Sequence, residues 1–210
     1  MHSQSKEIFV ADCILKVQRE VYEPAEDSFL FVDCMNVRLG SNVLDMGTGC
    51  GILGIIAAKR ASWVLATDIN PYAAHCAKRN AVLNGTDAKM LFLQGDLFAP
   101  IASSVKFDLI IFNAPYLPFE SSGQVSWLEK AWTGGVDGRR VIERFLLEGP
   151  PHLKSDGEIM LMQSSLSGIN ETLQALRKRG LSTCIVAERN LPFFEKISLI
   201  RASMKEPVSF

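Results

Sequence analysis

A chain of 210 residues, of which 48% are hydrophobic and 21% charged, has the composition of an ordinary globular domain and can bury a sizeable core. Its net charge of -1 and pI near 6.3 lack the basic excess of nucleic-acid-binding proteins, which disfavours a nucleic-acid partner. No apolar run approaches the roughly 20 residues that span a bilayer, and the polar residues 1–7 form no signal-peptide core; we expect a cytoplasmic protein without membrane contact.

The N-terminal residues predict a small β-hairpin. Two short apolar runs at 8–10 and 14–17 precede the rest of the pattern. We therefore expect a short extension at 1–21, followed by a single domain at 22–210.

Further along the chain, apolar strand-like runs alternate with helical patterns, which is typical of a parallel sheet with helices on both faces. The predicted strands are 42–46, 63–67, 90–94, 107–112 and 158–163. Near the C-terminus, runs at 184–188 and 198–203 are joined by a turn-rich link at 190–192. That pattern predicts an antiparallel hairpin that closes the sheet.

A glycine-rich turn follows the strand at 42–46. Gly47, Gly49 and Gly51 alternate with other residues, so the backbone can pass close to a ligand, and the next helix offers free N–H groups. A dinucleotide fingerprint has its third glycine one residue later, where this chain has Ile52, and the spacing therefore disfavours NAD. A tight turn without a ligand stays possible for this motif taken alone.

Acidic residues follow or end three successive strands. Asp45, Asp68 and Asp96 would meet at one edge of the sheet, where they would repel a polyphosphate and suit a positively charged adenosine ligand. Asp68 could accept both ribose hydroxyls, and Asp96 an exocyclic amine, while Leu97 packs against the base. Each aspartate taken singly is equally compatible with a helix cap or a turn.

The tetrapeptide Asn113, Ala114, Pro115, Tyr116 directly follows the strand at 107–112. A side-chain amide, a proline-stiffened backbone and an aromatic face can hold a flat NH2 group in one orientation. This pattern predicts transfer of a group to nitrogen, although Tyr116 could also be a core aromatic residue.

Together these motifs resemble class I S-adenosylmethionine-dependent methyltransferases that act on amino nitrogens. Residues 21–28 (Val-Tyr-Glu-Pro-Ala-Glu-Asp-Ser) and 131–138 (Ala-Trp-Thr-Gly-Gly-Val-Asp-Gly) are similar to the HemK-like protein glutamine methyltransferases, in particular their short archaeal and eukaryotic branch. The resemblance implies a Rossmann-like α/β fold with a seven-stranded, mostly parallel sheet. It also implies S-adenosyl-L-methionine as cofactor and methylation of N5 of a glutamine in the Gly-Gly-Gln loop of a peptide chain release factor.

The resemblance assigns roles at matching positions. Ser28 would hold the methionine part of the cofactor, bordered by Asp45 and Gly47 of the turn that also contains Gly49 and Gly51; Asp68 would bind the ribose, Asp96 and Leu97 the adenine, and Asn113 both cofactor and substrate. The catalytic group would be Asn113, Ala114, Pro115 and Tyr116. The family usually has proline where this chain has Ala114, which would reduce rigidity but keep the backbone carbonyl.

Relatives in the short branch work with a small zinc-binding activator, and the strand at 90–94, apolar on both faces, is the expected sheet edge for such a partner. The five cysteines and three histidines are dispersed, so we expect no metal site in this chain. Two other functions stay open: methylation of a nucleobase amino group, and a cofactor-binding subunit without activity.

The segment 117–138 is long for a connection, so we expect either a substrate-covering loop or partial disorder. Pro118, Phe119, Trp127 and Trp132 are apolar enough to line a peptide groove, with ordinary packing the alternative for Trp132.

Overall fold

The computed structural model describes residues 5–119, 123, 125–192 and 195–204. The elements are β1 (Lys6–Val10), β2 (Cys13–Val17), α1 (Glu26–Cys34), β3 (Asn42–Met46), α2 (Ile52–Ala58), β4 (Trp63–Asp68), α3 (Pro71–Leu83), β5 (Met90–Gln94), β6 (Phe107–Asn113), α4 (Trp127–Lys130), α5 (Arg140–Glu148), β7 (Leu153–Ser164), α6 (Ile169–Arg177), β8 (Ser182–Asn190) and β9 (Lys196–Ser203).

A seven-stranded sheet in the order β5-β4-β3-β6-β7-β9-β8 forms the centre of the fold. Neighbouring strands from β5 to β7 pair in parallel, whereas β9 pairs antiparallel with both β7 and β8. The predicted α/β class, the mostly parallel sheet and the C-terminal antiparallel hairpin are thus confirmed. Consecutive residues of β3 and of β6 are buried, which requires cover on both faces of the sheet.

Local sequence signals explain where the helices begin and which side they bury. The side chain of Asn70 accepts a hydrogen bond from the Tyr72 N–H at 3.0 Å, and Pro71 occupies the first position of α3. In α5, the helically spaced Ile142, Phe145 and Leu146 are buried, so this helix packs through one apolar stripe.

The N-terminal strands β1 and β2 form an antiparallel hairpin that packs on α3. Asn80 of α3 and Asn84, the residue that caps its C-terminal end, accept hydrogen bonds from the backbone N–H groups of Lys16 (2.9 Å) and Ile14 (3.0 Å), respectively. Two asparagines four residues apart therefore provide hydrogen-bond acceptors for the backbone of β2. The division of the chain into an extension at 1–21 and a domain at 22–210 stays a prediction.

Several strands are longer than the sequence pattern predicts. β7 begins at Leu153 instead of residue 158, because Leu153 already pairs with Phe107 across a register irregularity, although the intervening residues are polar. β8 and β9 each begin two residues earlier than predicted, since the two strands pair with each other. The link between them is described at Leu191, whose N–H donates to the Glu195 carbonyl at 2.8 Å, while residues 193–194 lie outside the described ranges.

No helix in the described part of the chain combines the length and the apolar character that crossing a bilayer requires.

Candidate active site

The carboxyl ends of the central strands open on a cavity of about 1410 Å³. The structure brings most of the predicted site residues into its wall: Ser28, Gly47, Gly49, Asp68, Asp96, Leu97, Asn113, Ala114, Pro115 and Tyr116. Asp45 and Gly51 are absent from the wall. Residues from well-separated parts of the chain thus meet because parallel strands deliver their carboxyl ends to the same edge.

The glycine-rich turn uses its glycines for two purposes. Gly47 (φ +62°) and Gly49 (φ +59°) face the cavity with left-handed backbone, and a Cβ on Gly47 would lie 3.1 Å from the Phe112 ring. A Cβ on Gly51 would lie 3.1 Å from both Cα and Cβ of Ala77. Gly51 therefore lets α2 approach α3 closely, and it does not line the cavity.

Asp45 lies behind the turn. Its side chain is only 1% exposed, and its Oδ2 accepts hydrogen bonds from the Thr48 hydroxyl at 2.6 Å and the Gly54 N–H at 2.9 Å. Burial raises the pKa of Asp45 to about 7, against the opposing effect of these two hydrogen bonds. Asp45 therefore supports the turn from beneath and does not line the cavity, whereas the sequence predicted that it borders the methionine part of the cofactor.

Asp68 ends β4 and lies in the cavity wall. Its Oδ2 accepts the Gly49 N–H at 2.9 Å and its Oδ1 accepts the Asn70 N–H at 2.8 Å. Burial raises the pKa of this carboxyl group, and the backbone hydrogen bonds oppose the rise. Since each carboxylate oxygen can accept more than one hydrogen bond, Asp68 can still accept hydrogen bonds from the hydroxyl groups of a ligand.

Asp96 lies beside an arginine that the sequence did not single out. Arg144 of α5 donates from Nη1 to both carboxylate oxygens of Asp96, at 2.9 and 3.1 Å, and both side chains are about half exposed. The neighbouring Leu97 is buried with a left-handed φ of +47°, which is rare for a residue with a branched side chain. An exposed helical arginine carries no sequence signal for such a position.

A buried carboxylate, Asp27, joins α1 to the tetrapeptide. Asp27 is 6% exposed, and its oxygens accept hydrogen bonds from Tyr22, Ser28, Asn113 and Tyr116. Asp27 lies in the motif at 21–28, and the sequence assigned it no role of its own. Its acidic character was visible, but only the fold shows that donors from four residues converge on it.

In the side-chain amide of Asn113, the NH2 group has hydrogen-bond partners and the oxygen has none among the described residues. Its Nδ2 lies 3.1 Å from Asp27 Oδ2 and 3.3 Å from Ser28 Oγ. Its Oδ1 is shielded from solvent and has no hydrogen-bond partner among the described residues. Because a buried acceptor without a partner is unfavourable, this oxygen is a ready acceptor for an N–H group brought into the cavity.

Part of the segment at 117–138 forms an ordered wall over the tetrapeptide. The Leu117 carbonyl accepts the Gly134 N–H at 2.9 Å, and the Phe119 N–H donates to the Gly135 carbonyl at 2.8 Å. Phe119 and Trp132 stack edge to face, with their ring centroids 5.2 Å apart. Both residues and Trp127 line the cavity, whereas Pro118 does not, and residues 120–122 and 124 lie outside the described ranges.

Comparison with known proteins places this geometry in a family. The methyltransferase small domain matches residues 24–191. The relative named "Putative protein N5-glutamine methyltransferase MJ0928", from Methanocaldococcus jannaschii, is 41% identical over 90% of this chain and 94% of its own length. Methyltransferase HEMK2 of Mus musculus is 33% identical over 78% of this chain and 80% of its own length.

Among solved structures, a chain of the E. cuniculi Mtq2–Trm112 complex superposes with a TM-score of 0.69 at 26% identity, covering 88% of this chain and 98% of that one. That complex is described as responsible for methylation of the translation termination factor eRF1. The aligned family segment contains both the glycine-rich turn and the tetrapeptide. This chain therefore belongs to the methyltransferase small domain family and is a homologue of the protein glutamine methyltransferases.

Proposed function

We propose that this protein transfers a methyl group from S-adenosyl-L-methionine to the side-chain amide nitrogen, N5, of a glutamine in a peptide chain release factor. Support comes from two directions. One relative is named for N5-glutamine methylation, and the similar solved complex is described as acting on eRF1. The observation that carries the proposal is the buried, unpartnered Oδ1 of Asn113, a residue that lines the cavity.

The residues in the wall fit the proposed cofactor. Asp68 offers carboxylate oxygens for ribose hydroxyls, and the left-handed Gly49, with nothing closer than 4.0 Å to a Cβ built there, leaves room beside the backbone. Asp96 and Leu97 would hold the adenine, and Ser28 with Gly47 the methionine part. When bound, this cofactor supplies an electrophilic methyl group on a sulfonium.

The tetrapeptide would orient the acceptor nitrogen. An amide nitrogen is a poor nucleophile because its lone pair is delocalised into the carbonyl. Asn113 Oδ1 and the Ala114 carbonyl can each accept one N–H of the substrate amide, which directs the nitrogen toward the methyl group. Such alignment is worth several kcal/mol (roughly 7–11 at best) through the entropy of positioning. A proline at this position would present the same backbone carbonyl. The presence of Ala114 instead of the usual proline therefore preserves this hydrogen-bond acceptor.

The proposed step forms the nitrogen–methyl bond, breaks the sulfur–methyl bond and releases one amide proton to solvent. We assign no general base. Burial and the charge of Asp27 raise the pKa of both Tyr22 and Tyr116 well above the ordinary value, so these phenols keep their protons at neutral pH. Tyr116 contributes its ring to the cavity wall and its hydroxyl to Asp27.

We further propose that a small partner subunit pairs with β5; the similar solved chain is itself part of a complex with a second protein, Trm112. β5 is a terminal strand of the sheet, and its Leu91 and Leu93 are 60% and 36% exposed. An apolar edge strand of this kind is a template for pairing with another chain. The zinc-binding character of the partner is part of this proposal, and a substrate from the translation machinery would place the reaction in the cytoplasm.

A labelling experiment tests the proposed reaction. The purified protein is incubated with methyl-labelled cofactor and either a recombinant release factor, the same factor with the Gly-Gly-Gln glutamine replaced by asparagine, or a DNA or RNA oligonucleotide. We expect label on the glutamine of the first substrate alone. Label on the oligonucleotide would favour nucleobase methylation, and cofactor binding without any transfer, with or without the partner, would favour an inactive subunit.

A further inference from the structure

We infer that Asp27 is a positioning residue that fixes which end of the Asn113 carboxamide meets the substrate. The inference rests on the proposed amide methylation and adds a residue that acts through Asn113 without touching the reacting atoms. Three features carry it: the burial of Asp27, the direction of its hydrogen bonds, and the unpartnered oxygen on the opposite half of Asn113.

Asp27 is a point of convergence for hydrogen-bond donors. Its Oδ1 accepts from the Ser28 N–H at 2.6 Å and the Ser28 hydroxyl at 3.2 Å. Its Oδ2 accepts from Asn113 Nδ2 and the Tyr116 hydroxyl, both at 3.1 Å. The Tyr22 hydroxyl lies 3.2 and 3.3 Å from the two oxygens. The carboxylate is therefore held from several sides and has little freedom to rotate.

The direction of these bonds decides the orientation of Asn113. An amide has an NH2 end and an oxygen end of similar shape, and either end could face α1 on size alone. An ionised carboxylate accepts hydrogen bonds and has no proton to donate, so only the NH2 end can face Asp27. Ser28 adds to the selection, because its hydroxyl donates to Asp27 and so presents lone pairs to Asn113 Nδ2. The Asn113 oxygen is thereby left for an incoming N–H group.

The charge of Asp27 also strengthens this oxygen as an acceptor. A donor bond from the Asn113 NH2 group to a carboxylate in a poorly hydrated setting polarises the amide and shifts electron density toward Oδ1. A substrate N–H bound there would be held more firmly. Orientation and polarisation thus act on the same atom, and both depend on Asp27.

A purely structural explanation for Asp27 is also available. An acidic residue in the first turn of a helix would stabilise α1 through the helix dipole. Glu26 provides the comparison, because it occupies the same turn. Its side chain is 58% exposed and pairs with Arg189 on β8. Burial and donors from outside α1 distinguish Asp27 from this neighbour.

The test compares three variants: Asp27→Ala, Asp27→Asn and the control Glu26→Ala. We expect Asp27→Ala to lower kcat on the release factor by about 100-fold or more, with cofactor Kd within about 3-fold of the unmodified protein. Asp27→Asn should recover part of the loss, since its amide oxygen can accept from Asn113 or from Ser28 but not both. Glu26→Ala should keep kcat within about 2-fold, as for most surface substitutions.

A second readout is independent of turnover. In ¹⁵N-labelled protein, the side-chain NH2 signals of Asn113 should be displaced from the usual amide region and exchange slowly with solvent. Both features should disappear in Asp27→Ala and weaken in Asp27→Asn. If Asp27→Ala does not fold, kcat and the Asn113 signals of Asp27→Asn alone test the inference.

Near-normal kcat in Asp27→Asn, together with unchanged Asn113 signals in either folded variant, would overturn the inference. Failure of the proposed function has a different signature: the unmodified protein would then label no glutamine, while the Asn113 signals would still report whether Asp27 orients the amide.

Discussion

Asn113 is the residue on which the proposed chemistry depends most directly. We expect Asn113→Ala to lower methyl transfer by about 100-fold or more, because the substrate amide loses one of its two acceptors. Cofactor affinity, measured by calorimetry, should fall only a few-fold, since Asp68 and the glycine-rich turn are unchanged. A variant with ordinary kcat would remove Asn113 from the mechanism.

Asp45 makes the stability of the protein depend on pH. Its pKa rises from 3.8 to about 7 on folding, so between these values the folded state holds a proton that the unfolded state has lost. The proton on Asp45 stabilises the folded state fully below about pH 4, and this stabilisation is lost as the pH rises through about 7. Its upper limit is roughly 4 kcal/mol, taking 1.36 kcal/mol per pKa unit.

Urea unfolding of the protein without cofactor, between pH 5 and pH 8, measures this effect. We expect Asp45→Asn to remove much of the loss of stability toward high pH, because an amide has no proton to lose in this range. Asp87→Asn, at an exposed position in the turn before β5, should keep the slope of the unmodified protein. A slope that is identical in all three proteins would assign the pH dependence to other groups.

At the scale of the elements, the wall at 131–138 depends on Gly138. This residue has φ +73°, and a Cβ there would overlap the Tyr116 carbonyl oxygen and lie 2.9 Å from Ser167 Cβ. We expect Gly138→Ala to separate the wall from the tetrapeptide, lowering both turnover and the free energy of unfolding, the latter by roughly 2–4 kcal/mol.

Gly180 supplies the matched control for this substitution. Its φ is +82°, but a Cβ there would meet nothing within 4 Å. Gly180→Ala should therefore show the backbone strain alone, about 1 kcal/mol, with turnover unaffected. Equal effects of the two substitutions in urea unfolding would argue against a tight contact between the wall and Tyr116.

At the scale of the whole molecule, the exposed edge β5 predicts an assembly. Leu91→Lys should abolish co-purification with the proposed small subunit, since a charge on this strand opposes apolar pairing. Leu39→Lys is the control, because Leu39 is 82% exposed and lies in the loop before β3. Co-expression pull-down with both variants is the measurement. Retention of the subunit by Leu91→Lys would place its contact elsewhere.

Much of the fold follows from sequence because its signals are local. The alternation of apolar runs and helical patterns predicts the central strands, and β3 and β5 begin and end where expected. The extra length of β7 could not be predicted, because its polar beginning pairs only through a neighbouring strand. For the site, strand ends and glycine spacing identified the cavity wall, since chain position relative to a parallel sheet determines which residues meet.

By itself the sequence determined the order of strands and helices, the glycine turn, and the amide that ends β6. Tertiary structure decided which side chains face the cavity and which support it. It placed Asp45 behind the turn and Gly51 against α3, brought Arg144 to Asp96, and made Asp27 the common acceptor for Asn113 and Tyr116. The physical reason is that hydrogen-bond direction and burial depend on groups far apart in the chain, and these become neighbours only when the sheet has assembled.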